Sequence, residues 1–238
     1  MKKYVTGLLS IFTFLFLFFS ISKAQTTYKN DSGVFASLES LYLRGGSFED
    51  AQLIGPAFGY RFNENYDVSL HTELLFSEQK FSSRENGNTS LLNLGLTFGH
   101  TARFSNPFMV RSELSLYKSF NFNVEGFDFE GLPEIPDPSL NSALGSSSFY
   151  VELPLSNTIS LLPNAGGFLG YGEYDAPISD AELTQGFDGF VAGPDLGLDF
   201  LFAFSDSFSM AITPSYRHHL TDNAPYDGEF SLNFQFNF

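Results

Sequence analysis

A chain of 238 residues carrying 27 acids against 12 Lys and Arg, with a formal charge of −15 and no cysteine, excludes several classes at once. Phosphate binding needs concentrated positive charge, and no Lys or Arg occurs between Lys118 and Arg217, so no nucleic-acid partner is expected. Without cysteine there is no disulfide framework and no N-terminal lipid-anchored Cys.

The first element is not part of the fold. Lys2 and Lys3 precede the apolar run LLSIFTFLFLFF (8–19), and Ser22 and Ala24 form a small-x-small pattern before Gln25. This reads as a secretory signal peptide over 1–24, cleaved after Ala24. The apolar run is short for a membrane helix of about 20 residues. Cleavage removes three lysines and no acids, moving the formal charge from −15 to about −18. Residues 25–33 are then a short periplasmic segment, and 34–238 the folded domain.

From residue 34 to the end the hydrophobic pattern has period two, the spacing of a strand with unlike faces. It predicts ten strands, over 34–43, 52–62, 66–78, 90–104, 108–121, 147–155, 158–173, 187–204, 208–219 and 229–238. Two kinds of connection alternate between them. NEN (63–65), SNP (105–107), SN (156–157) and SDS (205–207) are tight turns. RGGSFEDA (44–51), 79–89, 122–146, 174–186 and 220–228 are longer links. Short turns at one end and long loops at the other are the layout of a closed antiparallel up-and-down transmembrane β-barrel, with eight strands as the runner-up count.

Charge tells which face meets lipid. In 66–78, Tyr66, Val68, Leu70, Thr72, Leu74 and Phe76 share one face, and Asp67, Ser69, His71, Glu73 and Ser77 the other. The same parity puts Glu39, Arg61, Arg103, Arg111, Glu113, Glu152, Asp195, Asp199 and Arg217 on the polar side. Glu78, Lys118, Glu173 and Asp188 fall on the apolar side, each at the long-loop end of its strand. A basic residue at the lipid midplane costs about 2–4 kcal/mol, falling to about 0–1 near the interface, and the pattern avoids that cost. Phe62, Tyr66, Phe104, Phe108, Phe204, Phe208 and Phe238 form an aromatic rim beside the tight turns; Phe76, Phe81, Tyr171, Tyr174, Tyr216 and Phe230 supply a second girdle.

Buried opposite charges should pair. The expected lumen network is Arg61, Glu73, Arg111, Glu113, Glu152, Asp195, Asp199 and Arg217. Glycines at inward positions, among them Gly59, Gly95 and Gly99, leave room either for solvent or for large neighbours, and ten strands favour a filled interior. Ser69, His71 and Glu73 share a face, and acid–His–Ser groupings support acyl transfer. Such spacing arises readily in any strand, so no catalytic residue is assigned. His218, His219 and Asp222 are read as rim or loop groups. Glu125, Asp128, Glu130, Glu134 and Asp137 make 122–146 a solvated acidic loop, its spacing unlike an EF-hand. No cofactor and no metal site is expected.

The segments GPAFGYRFNENYDVSLHTELLF (55–76), FYVELPL (149–155) and the closing LNFQFNF resemble small Gram-negative outer-membrane β-barrel proteins, of the PorT-like or general outer-membrane barrel type. The resemblance implies an outer-membrane location with lipid as the surrounding partner. It also implies that Phe234, Phe236 and Phe238 form a C-terminal signal read by the barrel assembly machinery. The expected role is non-enzymatic, structural or surface-interacting, with acidic loops outside the cell available to an extracellular ligand. A small cation-preferring porin and an outer-membrane hydrolase or acyltransferase are the alternatives.

Overall fold

The computed structural model describes residues 32–45, 48–80, 86–105, 107–125, 139–175, 187–205, 207–221 and 227–238. The strands are β1 (Gly33–Gly45), β2 (Phe48–Arg61), β3 (Tyr66–Lys80), β4 (Asn86–Ser105), β5 (Phe108–Glu125) and β6 (Ser139–Val151). They continue with the two-residue β7 (Leu153–Pro154), then β8 (Ile159–Asp175), β9 (Phe187–Ser205), β10 (Phe208–His218) and β11 (Gly228–Asn237). β6 and β7 are one span interrupted at Glu152. Pro154 has no N–H to give the ladder, while Glu152 N still donates to the Pro107 carbonyl at 2.8 Å.

Each span pairs antiparallel with its sequence neighbours, and β1 pairs with β11 from Phe35↔Asn237 to Arg44↔Gly228. The sheet is therefore a closed ten-span barrel, not one of eight. The closing amphipathic strand has both edges paired, one to β10 and one to β1. In hydrocarbon an open edge would strand backbone N–H and C=O groups at several kcal/mol each.

The tight turns are held by their own polar side chains. Asn63 Oδ1 accepts from the backbone N–H of Asn65 at 2.8 Å and Tyr66 at 3.1 Å. Ser156 Oγ accepts from Thr158 N and Ile159 N, both at 3.1 Å. At the other end the strands run long: β4 has 20 residues and β9 has 19. A tilted strand crosses the apolar band in about 9–11, so the sheet extends past it on the long-loop side.

Two expectations need correction. RGGSFEDA (44–51) is expected as a longer link, but β1 runs to Gly45 and β2 begins at Phe48, paired Gly45↔Phe48, so only 46–47 lie between the strands. Residues 139–146 were expected in a long loop, but they belong to β6, and β5 reaches Glu125. The stretch NSALGSSS carries small side chains on both faces, so it shows no period-two contrast; its strand form is set by β5 and β8 on either side. The remaining acids of that loop, Asp128, Glu130, Glu134 and Asp137, lie outside the described residues, as do Phe81 and Asp222.

The faces divide as the charge argument requires. Outward Leu70 is 63% exposed and Phe104 70%, while inward Asp67 and Glu73 are 5% and 4% exposed. Rings cluster beside the short turns: Phe108 stacks on Phe149 at 5.6 Å, and Phe208 lies between Phe204 at 5.2 Å and Phe238 at 5.4 Å. At the long-loop end Tyr171 meets Phe190 edge-on at 5.4 Å. Lys118 and Glu173 do face outward at that end, both exposed, where headgroups and water are in reach.

The candidate functional site: a polar belt in the lumen

The interior is layered. Next to the short turns, Met109, Leu162, Leu201 and Ala211 pack with Tyr150 into an apolar floor. Towards the long loops the inward side chains are again apolar, among them Leu41, Leu43, Leu53 and Leu75. The charged belt lies between, around a cavity of about 370 Å³. The inward charges mark the belt; the uncharged inward leucines on either side carry no such signal.

Three arginines organise the acids. Arg111 of β5 donates to Asp67 of β3, Nη1 to Oδ2 at 2.8 Å and Nη2 to Oδ1 at 3.0 Å, and its Nε donates to Glu113 Oε1 at 2.7 Å. β4 stands between β3 and β5 and contributes Gly99 at this level. A Cβ there would run into the Asp67 carboxylate and the Arg111 guanidinium, so only glycine lets the pair meet. Arg217 gives Nε to Asp195 Oδ2 at 3.1 Å and Nη1 to Glu229 Oε1 at 3.0 Å. Arg103 Nη1 lies 3.8 Å from Glu152 Oε2. Arg61 is buried with Cζ 6.0 Å from the Phe35 ring centroid.

Of the eight residues expected in the network, the structure thus brings Arg111 to Glu113, Arg217 to Asp195, and Glu152 to Arg103. Among the described residues, Glu73 and Asp199 form no ion pair with an arginine. Asp199 accepts from Asn164 Nδ2 at 3.3 Å, and Glu73 lies 3.7 Å from His71 Nδ1. The sequence reading omitted Glu229, which opens the last strand just before its run of alternating aromatics. Its inward parity with Ser231 and Asn233 was the available signal.

Around Glu73 the belt changes character. Ser69 Oγ and His71 Nε2 are 2.9 Å apart. Glu39 of β1 brings its carboxylate to the same place, so that Glu39, His71 and Glu73 each present a ligand atom within 4.8 Å of the others. Gly55 of β2 faces Glu39 in the register, and a Cβ on it would collide with the backbone of Thr72 and Glu73. β2 therefore places no side chain between the two acids. Two ionised carboxylates that close repel by about 3–4 kcal/mol at an effective dielectric of about 20.

A Ser–His–acid relay would require His71 Nδ1–H to donate to Glu73 within about 2.6–3.2 Å; the separation of 3.7 Å leaves that arm open. His218 is exposed beside Tyr216, and His219 packs on Phe168 at 4.9 Å, so neither joins this cluster.

The inward glycines settle how the lumen is filled. Gly95 lies under the Tyr117 ring and Gly59 under the Phe35 ring. Large neighbours, not open solvent, occupy these places. Thr97 and Ser115 bond at 2.8 Å, and Ser119 donates to Asn93, tying the belt further.

No family model and no curated protein sequence matches the chain. Solved structures do. The translocator domain of autotransporter NalP from Neisseria meningitidis aligns with TM-score 0.51 at 13% identity, covering 88% of this chain and 88% of that one. The beta domain of the Bordetella autotransporter Brka aligns with TM-score 0.53 at 13% identity, covering 88% of this chain and 100% of that chain. At such identity the likeness is one of fold, and the class it defines is the outer-membrane β-barrel.

Proposed function

We propose that the protein is an integral outer-membrane barrel with a non-enzymatic structural or surface-interaction role, exported by a signal peptide cleaved after Ala24. Among such barrels, GYRFNEN and ELPL support a PorT-like or general outer-membrane barrel type. The C-terminal Phe234, Phe236 and Phe238 serve as its assembly signal, and its long acidic loops face outward to meet an extracellular ligand.

The observation that carries this reading is the size of the lumen. The cavity has a volume of about 370 Å³. Met109, Leu162 and Ala211 of the apolar floor line it on the short-turn side. Arg111 and Arg217, each held by two carboxylates, stand in that space. Such a barrel carries loops rather than nutrients.

A second reading, a narrow cation-preferring conduit, is favoured by the lining itself. Among the described residues, Glu39, Asp67, Glu73, Glu113, Asp195, Asp199 and Glu229 face the cavity against Arg61, Arg111 and Arg217. Planar-bilayer recording of the refolded protein separates the two. The first predicts no sustained open level in about 1 M KCl; a steady cation-selective current would establish the second.

A further inference from the structure

We propose that Glu39, His71 and Glu73 form a binding site for one first-row divalent cation, with Zn²⁺ as its type, and that Ser69 is a positioning residue for it. The inference holds whether or not the lumen conducts.

Three observations converge. The first is geometric. One nitrogen and two carboxylate oxygens, from two strands separated by the bare backbone of Gly55, lie within 4.8 Å of one another and face the cavity. Ligands of one tetrahedral ion at about 2.0–2.2 Å stand about 3.3–3.6 Å apart, and His71 Nδ1 lies 3.7 Å from Glu73 Oε1. That spacing is long for a hydrogen bond and close to that of two ligands sharing an ion.

The second is charge. Arg111, Arg217 and Arg103 are taken up by Asp67 and Glu113, by Asp195 and Glu229, and by Glu152. Among the described residues, neither Glu39 nor Glu73 has an Arg or Lys within ion-pair distance. The belt pairs most of its other acids with guanidinium groups and brings the Glu39 and Glu73 carboxylates together, with the Asn93 amide bonded to Glu73. A divalent cation removes that repulsion and satisfies both.

The third is the tautomer. Ser69 Oγ stands 2.9 Å from Nε2. If Nε2 carries the proton and donates it to Ser69, the lone pair is on Nδ1, the nitrogen 3.7 Å from Glu73 Oε1. A ligating histidine is ordinarily oriented by just such a donation from its other nitrogen. One imidazole and two carboxylates, with the rest of the shell open to water, suit Zn²⁺, Co²⁺ or Mn²⁺ better than Ca²⁺, which takes six to eight oxygens.

The test uses the mature barrel, folded in detergent and stripped with chelator. Isothermal titration with Zn²⁺ should show one equivalent, with Ca²⁺ unable to displace it at equal concentration. Co²⁺ should give the visible absorption of an N/O site of low coordination number. Glu39→Gln, Glu73→Gln and His71→Ala should each weaken binding at least tenfold, and Ser69→Ala about tenfold, the low end of such outer-shell effects. Glu64→Gln, in the exposed turn between β2 and β3, should leave it unchanged. Heat-modifiable gel migration confirms that each variant is folded, and the Co²⁺ spectrum needs no variant. The proposal is overturned by the absence of saturable binding at one equivalent, or by binding indifferent to His71→Ala and Glu73→Gln. Equal competition by Ca²⁺, which would place the ion at all-oxygen loops, overturns it as well.

Discussion

An arginine scan along the outer face of β5 and the end of its neighbour β4 tests whether hydrocarbon covers this barrel. Phe108 marks the short-turn rim, and Val110 and Leu114 share its face. Six residues at about 3.4 Å each, inclined 35–45° to the axis, raise Leu114 roughly 15 Å above that rim, and Val110 by about 5 Å. The apolar band is about 25 Å tall, so Leu114 sits close to its midplane and Val110 in its lower quarter. Leu114→Arg should destabilise the barrel by about 2–4 kcal/mol, Val110→Arg by about half as much, and Phe104→Arg at the rim by about 0–1 kcal/mol. Equilibrium unfolding in phospholipid vesicles, followed by far-ultraviolet circular dichroism because the chain has no Trp, measures all three. A flat profile would refute the reasoning. So would a loss below about 0.5 kcal/mol for Leu114→Arg, the ordinary cost of a change on a water-covered surface.

Arg217→Met leaves Asp195 and Glu229 without their cation. Breaking a buried pair costs about 3–5 kcal/mol, and because the Arg217 side chain is 25% exposed to lumen water, about 2–3 kcal/mol is expected. Adding Asp195→Asn and Glu229→Gln should recover most of that loss in the same unfolding assay; a triple variant no better than the single one would disprove the pairing. Gly95→Val drives a branched side chain into the Tyr117 ring and should cost about 1–3 kcal/mol, with no effect expected if the lumen had spare room there. Phe238 donates its N–H to the Val34 carbonyl at 2.9 Å and packs on Phe208. Phe238→Ala should lower the yield of assembled barrel in cells far more than spontaneous folding into vesicles; equal losses in both would assign it only a packing role.

The period-two pattern was enough to point to ten strands, with eight as the runner-up, to place the tight turns at one end, and to tell which face is charged. Those properties depend on local alternation, and in a barrel each strand repeats the same rule, so every segment states it independently. Where the rule falls silent, the reading failed. NSALGSSS has small side chains on both faces, and only pairing with β5 and β8 makes it a strand. Parity also named the inward charges without saying which would meet. Asp67 and Arg111 are 44 residues apart and touch because Gly99 leaves a gap on the strand between them. Glu39 and Glu73 approach each other across Gly55 for a similar reason. Face is set by one residue and its neighbours in the chain. Partnership depends on the register of three adjacent strands and on the volume the middle one leaves empty, and only the closed sheet decides that.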